Sequence, residues 1–117
     1  MTGPESGTFR AVLESLRLGL VRVSSRALKE ADEDGIVFSH IEGACLTGEC
    51  IEDCPTDPRG PSCLVMGRLA NGLAVHALWG FDAASHQAIL ITVYLPDPQR
   101  WTEDFRRRRA RDAGEAE

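Results

Sequence analysis

Two apolar runs between Ser62 and Trp79 meet at Asn71-Gly72, and this pair constrains the fold more than any other feature. Both residues tolerate positive φ, which a type I′ turn demands at each of its two central positions. A third run, Ala88 to Leu95, is rich in β-branched residues and ends at Pro96. Together they predict a three-stranded antiparallel meander. A two-residue turn puts Ala70 opposite Leu73, Arg68 opposite Val75 and Met66 opposite Ala77. The alternate positions put Gly67 opposite His76. Opposed residues share a face, so the glycine would leave space above the imidazole. In the third run Leu90, Thr92 and Tyr94 take one face. Both faces are mainly apolar, which calls for cover on both sides or a pocket on one.

The remaining segments supply the cover. Phe9, Val12, Leu13, Leu16 and Leu20 follow helical spacing, with Thr8 as a cap and Gly19 as a stop. Leu20 to Val23 reads as a short apolar link. Ser24 or Ser25 caps a second helix that runs to about Asp34 and ends at Gly35. Its last turns carry Glu30, Asp32, Glu33 and Asp34, the wrong sign for a helix C-terminus. Phe38, Ile41 and Cys45 mark a third helix closed by Gly48, and Glu49 to Asp53 reads as a short strand. Asp97-Pro98 opens a last helix, with Asp as N-cap and Pro in the first turn, and Trp101 and Phe105 dock it on the sheet. The expectation is one α+β domain over residues 8–111. It holds an antiparallel sheet of about four strands, two to three N-terminal helices and one C-terminal helix. Residues 1–7 and the acidic tail 112–117 are expected to be disordered.

The composition, 43% hydrophobic and 26% charged over 117 residues, is that of a globular protein. No apolar run is long enough to span a bilayer. MTGPESGTFR lacks the pattern of a secretory signal, so the expected compartment is the cytoplasm and disulfides are not expected. The net charge of −5 is unevenly spread: residues 1–104 hold eight Lys/Arg against fifteen Asp/Glu, and residues 105–111 add five arginines. A basic cluster on an acidic body is a local patch and not a global nucleic-acid footprint.

The ordered motifs GECIEDCPTDPRGPSCLVMGRL, GLAVHALWG and ITVYLPDPQRW, followed by the arginine run, resemble the "domain of unknown function 4258" family of prokaryotic proteins. The resemblance covers about residues 21–109. It implies a compact α+β toxin related to RelE-like and MqsR-like ribonucleases, which acts on RNA and is partnered by a small antitoxin. Arg26, Leu95 and Cys54 stand where the family usually has a histidine, a basic residue and a tyrosine.

Metal-free RNA cleavage needs a proton acceptor for the 2′-hydroxyl, a donor for the leaving oxygen and a cation for the phosphorane. On this reading His76 is the proton-transfer group and Tyr94 the second acid or phosphate donor, while Arg26, Arg68, Arg100 and Arg106 hold backbone phosphates. The plainer reading makes His76 a hydrogen-bonded histidine in a half-buried sheet and Tyr94 a packed residue with its hydroxyl at the edge. Cys45, Cys50, Cys54 and Cys63 are an alternative zinc site, but only Cys50 and Cys54 have a spacing typical of structural zinc. Otherwise no cofactor is expected. Glu52, Asp53 and Asp57 could hold a divalent cation, though Asp with Pro also makes ordinary turns. A second functional class remains open: a non-catalytic interaction or sensor module. A sheet apolar on both faces can hide one in a homodimer or under an antitoxin.

Overall fold

The structure, a computed structural model, describes residues 7–110. The expected disorder at 1–7 and 112–117 lies outside these residues, except for Gly7, which opens the first helix. Three helices form as the apolar spacing predicts: α1 (Gly7–Leu18), α2 (Ser25–Glu33) and α3 (Phe38–Leu46). Helix α1 ends where Gly19 adopts φ +76°; Leu20 N–H donates to Ser15 O at 2.9 Å and Gly19 N–H to Leu16 O at 3.2 Å. This double closure needs a left-handed residue, and Gly35 at φ +68° closes α2 in the same way. The Ser24 hydroxyl caps α2 by accepting from Ala27 N–H at 3.0 Å.

The α+β class stands, but the sheet is larger and mixed. Its strands are β1 (Val21–Val23), β2 (Glu49–Cys54), β3 (Ser62–Arg68), β4 (Ala74–Asp82) and β5 (Gln87–Tyr94), in the order β1-β5-β4-β3-β2. The expected four antiparallel strands therefore become five. The segment read as a link, Val21–Val23, is an edge strand running parallel to β5. Three residues are too few for a period of two to show.

The hairpin loop is one residue longer than expected. Leu69 N–H donates to Leu73 O at 2.9 Å, so the loop is Ala70-Asn71-Gly72, with Gly72 at φ +90°. Asn-Gly serves this three-residue form, a turn followed by a left-handed glycine, as well as the two-residue one. The register moves by one, and Met66, not Gly67, lies opposite His76. The expected space over Gly67 is not above the imidazole. Gly67 faces the helices, where an added Cβ would fall 2.3 Å from Ala44 O. The close approach of α3 to β3 requires a glycine there.

All three helices pack on one face of the sheet. Val65, Val75, Ala77, Trp79, Leu90 and Val93 meet Val12, Leu16, Ala27, Ile41 and Ala44 in a single core. The other face presents Leu64, Met66, His76, Leu78, Thr92 and Tyr94. No helix covers it among the described residues.

The expected C-terminal helix does not form. Asp97 does cap one turn, accepting from Gln99 N–H at 2.8 Å. The chain then doubles back: Thr102 N–H donates to Arg107 O and Arg109 N–H to Arg100 O, each at 2.8 Å, and Trp101 bridges Arg108. Local bonds compete with the helix. The Thr102 hydroxyl donates to Asp104 at 2.6 Å, and Asp104 accepts from Arg106 N–H at 3.1 Å. Residues 97–109 thus form a small hairpin, here called the strap, which lies across part of the helix-free face.

Candidate functional site

Two bulges shape the helix-free face. Strict alternation would send Glu49 and Glu52 to opposite faces of β2. An irregularity between Cys50 and Glu52 adds Ile51, so Glu49 pairs with Met66 and Glu52 with Leu64. Both carboxylates then lie on the face that carries His76. On β5 a second bulge, opposite Leu78 and Trp79, adds Ile91. Ile91 and Thr92 both line an open hollow of about 900 Å³ on this face. Leu64, Leu78 and Gly80 also line it, and Tyr94, Glu52 and Arg108 stand among its polar lining.

His76 sits beside this hollow, fully buried. Its Nε2 lies 2.9 Å from the Phe105 carbonyl and its Nδ1 3.2 Å from the Tyr94 hydroxyl. A carbonyl only accepts, so Nε2 carries the proton and Nδ1 accepts from the phenol. Trp101 meets the imidazole edge-on at 4.3 Å between centroids. Burial pushes the His76 pKa down from its ordinary value, and the bond to Phe105 opposes that only in part. Burial raises the Tyr94 pKa, against the pull of the Arg108 guanidinium. Both groups are therefore neutral at pH 7. The phenol is half-buried and lines the hollow, so it is the member of the pair that meets solvent.

The strap is fastened by side chains. Arg106 holds Glu49 bidentately at 2.7 and 3.0 Å, and Arg108 holds Glu52 at 2.8 and 3.1 Å. Arg108 also lies over the Trp101 ring, 4.7 Å from its centroid. These pairs are exposed, and such pairs are typically worth about 0–1 kcal/mol each. Trp101, at 3% exposure, is the apolar anchor.

Of the residues expected to bind phosphate, none reaches the hollow. Arg26 pairs with Glu30 on α2 at 3.1 Å. Arg68 donates to Gly72 O at 3.2 Å and lies 5.8 Å from the Phe105 ring. Arg106 is engaged by Glu49, and Arg100 is exposed on the strap. The guanidinium groups that do line the hollow are Arg108 and Arg59. Arg108 belongs to the run the sequence singled out, but only a hairpin, not a helix, sends both Arg106 and Arg108 to β2.

The cysteines divide. Register puts Cys50 and Cys63 on the helix side, where Cys45 accepts from the Trp79 indole N–H at 3.3 Å, and puts Cys54 on the other face. Burial pushes the Cys45 thiol up to about 11. The hydrogen bond with Cys50, followed by burial, pushes Cys63 up as well. None of the four is joined in a disulfide, and among the described residues no three His, Cys, Asp or Glu stand as a metal-binding group. Asp57 is held below the usual carboxylate range by its hydrogen bonds from Arg59, as a turn carboxylate would be.

The family model described as Domain of unknown function (DUF4258) matches residues 23–95. The matched span holds β2 to β5, with His76 and Tyr94, and stops short of the strap. No curated protein and no solved structure matches the chain. No helix among the described residues is long and apolar enough to cross a membrane.

Proposed function

The chain belongs to the domain of unknown function 4258 family, and from that premise we propose that it is a toxin-like domain that cleaves or binds RNA in the cytoplasm. Its site is the helix-free face of the sheet. One observation carries this reading: His76 and Tyr94 share that face in direct hydrogen-bond contact, with the phenol on the wall of a hollow that Arg108 also lines. The pair can relay a proton without an ionised intermediate on tyrosine. The Tyr94 oxygen takes the proton of an RNA 2′-hydroxyl while its own proton passes to His76 Nδ1. The 2′-oxygen then attacks the adjacent phosphorus. The leaving 5′-oxygen recovers a proton by the reverse path, giving a 2′,3′-cyclic phosphate and a free 5′-hydroxyl. Arg108 meets the charge that builds on the phosphorane. The Phe105 carbonyl accepts from Nε2–H and steadies the imidazolium while it lasts. A small antitoxin, or a second copy of the chain, would be expected to cover the same apolar face.

The test is cleavage of RNA by the purified protein in the presence of a chelator, beside His76→Ala and Tyr94→Phe. Cyclic-phosphate ends from the unaltered chain, and a fall of about 10²-fold or more in either variant, support the relay. Intact RNA in every case removes the enzyme reading. A second reading follows from the burial of His76 and the engagement of both its nitrogens: an interaction module that uses the same hollow without turnover. It predicts RNA binding that weakens steeply with salt and no cleavage.

A further inference from the structure

We propose that the strap, residues 97–109, is a releasable cover over His76, held by the Arg106–Glu49 and Arg108–Glu52 pairs, and that its opening exposes the imidazole. The proposal goes beyond the functional reading above, whose relay runs with the strap closed because it uses the Phe105 carbonyl and Arg108, both of which opening withdraws; its readout does not depend on RNA cleavage.

The strap is built as a separable unit. Among the described residues, every backbone–backbone bond of 97–109 closes within the segment, from the Asp97 turn to the Arg109–Arg100 closure. None extends the sheet. The attachments that reach across are the two ion pairs, the Trp101 indole against His76, the Arg68 contact with the Phe105 ring and the Phe105 carbonyl on Nε2. Trp101 stands outside the core cluster that ties the helices to the sheet. A hairpin with internal closure and side-chain fastening can leave as one body, because its own bonds survive the departure.

The point of contact is strained in the closed state. Phe105 sits at φ +60°, a left-handed conformation that a bulky L residue rarely adopts. That conformation aims its carbonyl at His76. Opening relieves the strain and gives up the hydrogen bond, so these two effects oppose each other; burial of Trp101 anchors the closed state, and the two ion pairs add the part that salt can weaken. Those pairs are exposed, with 45–64% of the arginine side chains accessible, so salt screens them. Both glutamates reach them only because of the β2 bulge. The fastening is thus a local arrangement at the sheet edge and not part of the core.

Carbethoxylation of the histidines with diethyl pyrocarbonate, read by mass spectrometry, tests this. His40 and His86 are exposed and serve as references in the same chain. In low salt His76 should react about ten-fold or more slowly than His40, in proportion to the rarity of opening. Raising sodium chloride to about 1 M should speed His76 severalfold relative to His40. Arg106→Ala/Arg108→Ala and, independently, Glu49→Gln/Glu52→Gln should do the same at low salt. Amide exchange at Val75 and Ala77 must stay slow throughout, since only the strap moves. The proposal is overturned if His76 reacts as fast as His40 in low salt, or if neither salt nor either double variant changes its protection. It is also overturned if exposure of His76 comes only with fast exchange in β4, which would mean global unfolding. The salt arm uses the unaltered chain, so it decides even where a variant does not fold. Reactive His76 with RNA left intact would keep the cover and remove the nuclease reading.

Discussion

The neutral imidazole of His76 couples the folded state to pH. Burial lowers its pKa in the fold, so protons bind the unfolded chain first. Above the ordinary histidine value of about 6.5, both states hold a neutral ring and the group has no effect on stability. As the pH falls below that value the unfolded chain takes up the proton and the fold loses stability, until the lowered folded-state pKa is passed. Urea unfolding of the unaltered protein should show this loss between about pH 7 and pH 5. His76→Gln supplies an amide N–H for Phe105 and a carbonyl for Tyr94, does not titrate, and should flatten the dependence. At pH 7 the exchange should cost about 1 kcal/mol. Equal slopes for both proteins would show that His76 is not the titrating group. The position of His76 in a strand, and its company with Tyr94, were legible in the alternation of apolar residues. Its burial was not, because the covering residue, Trp101, was assigned to a helix, and because the hairpin loop holds one residue more than Asn-Gly alone implies.

Among the elements, α2 and β5 show why a wrong-sign charge can be structural. Strand β1 pairs with β5 only as far as Leu90, and the edge beyond it must find other partners. The Ser24 hydroxyl donates to Ile91 O at 2.8 Å. Glu30, reaching from α2, accepts from Val93 N–H at 3.0 Å and from the Thr92 hydroxyl. Its partial burial opposes ionisation, but the bonds from Thr92, Val93 and Arg26 outweigh it and hold its pKa below the usual range. The stabilisation is therefore present above the ordinary glutamate value and is lost as the pH falls through the lowered one. Glu30→Ala should destabilise the protein by about 1–3 kcal/mol at pH 7, by denaturant unfolding, and should shrink the acid-induced loss of stability. A neutral effect at pH 7 would mean that water serves Val93 equally well. Helix ends were legible because Gly19 and Gly35 are the residues that left-handed closure requires. The purpose of Glu30 was not, since it depends on a strand edge contributed from 62 and 63 residues away. The same is true of Glu52, whose face is set by a bulge that no residue type announces.

For the molecule as a whole, the core and the site belong to different layers. The cluster that joins the helices to the sheet contains no residue of the strap, whereas Trp101 and the Phe105 carbonyl, which close over His76, belong to it. The family match divides the chain in the same place, with residues 23–95 inside it and the strap beyond. A chain ending after Pro96 should therefore still fold. It should unfold cooperatively, with stability lower by about 2–3 kcal/mol, roughly the burial of one large aromatic side chain. It would also present Leu64, Met66, His76 and Leu78 together on a bare sheet face. Apolar patches of that kind mark association surfaces, so the shortened chain should self-associate with rising concentration while the full chain does so less. Sedimentation velocity over a concentration series measures this. A shortened chain that stays monomeric throughout would mean that the helix-free face needs no cover. One that loses cooperative unfolding would place the strap inside the core. Charge works against this association: Arg106 and Arg108 neutralise two carboxylates on the β2 side of this face, and their removal leaves an acidic rim along one edge of an apolar floor. Association of the shortened chain should accordingly strengthen with salt, as screening relieves repulsion between the rims, which is the opposite of what contacts made by opposite charges would show.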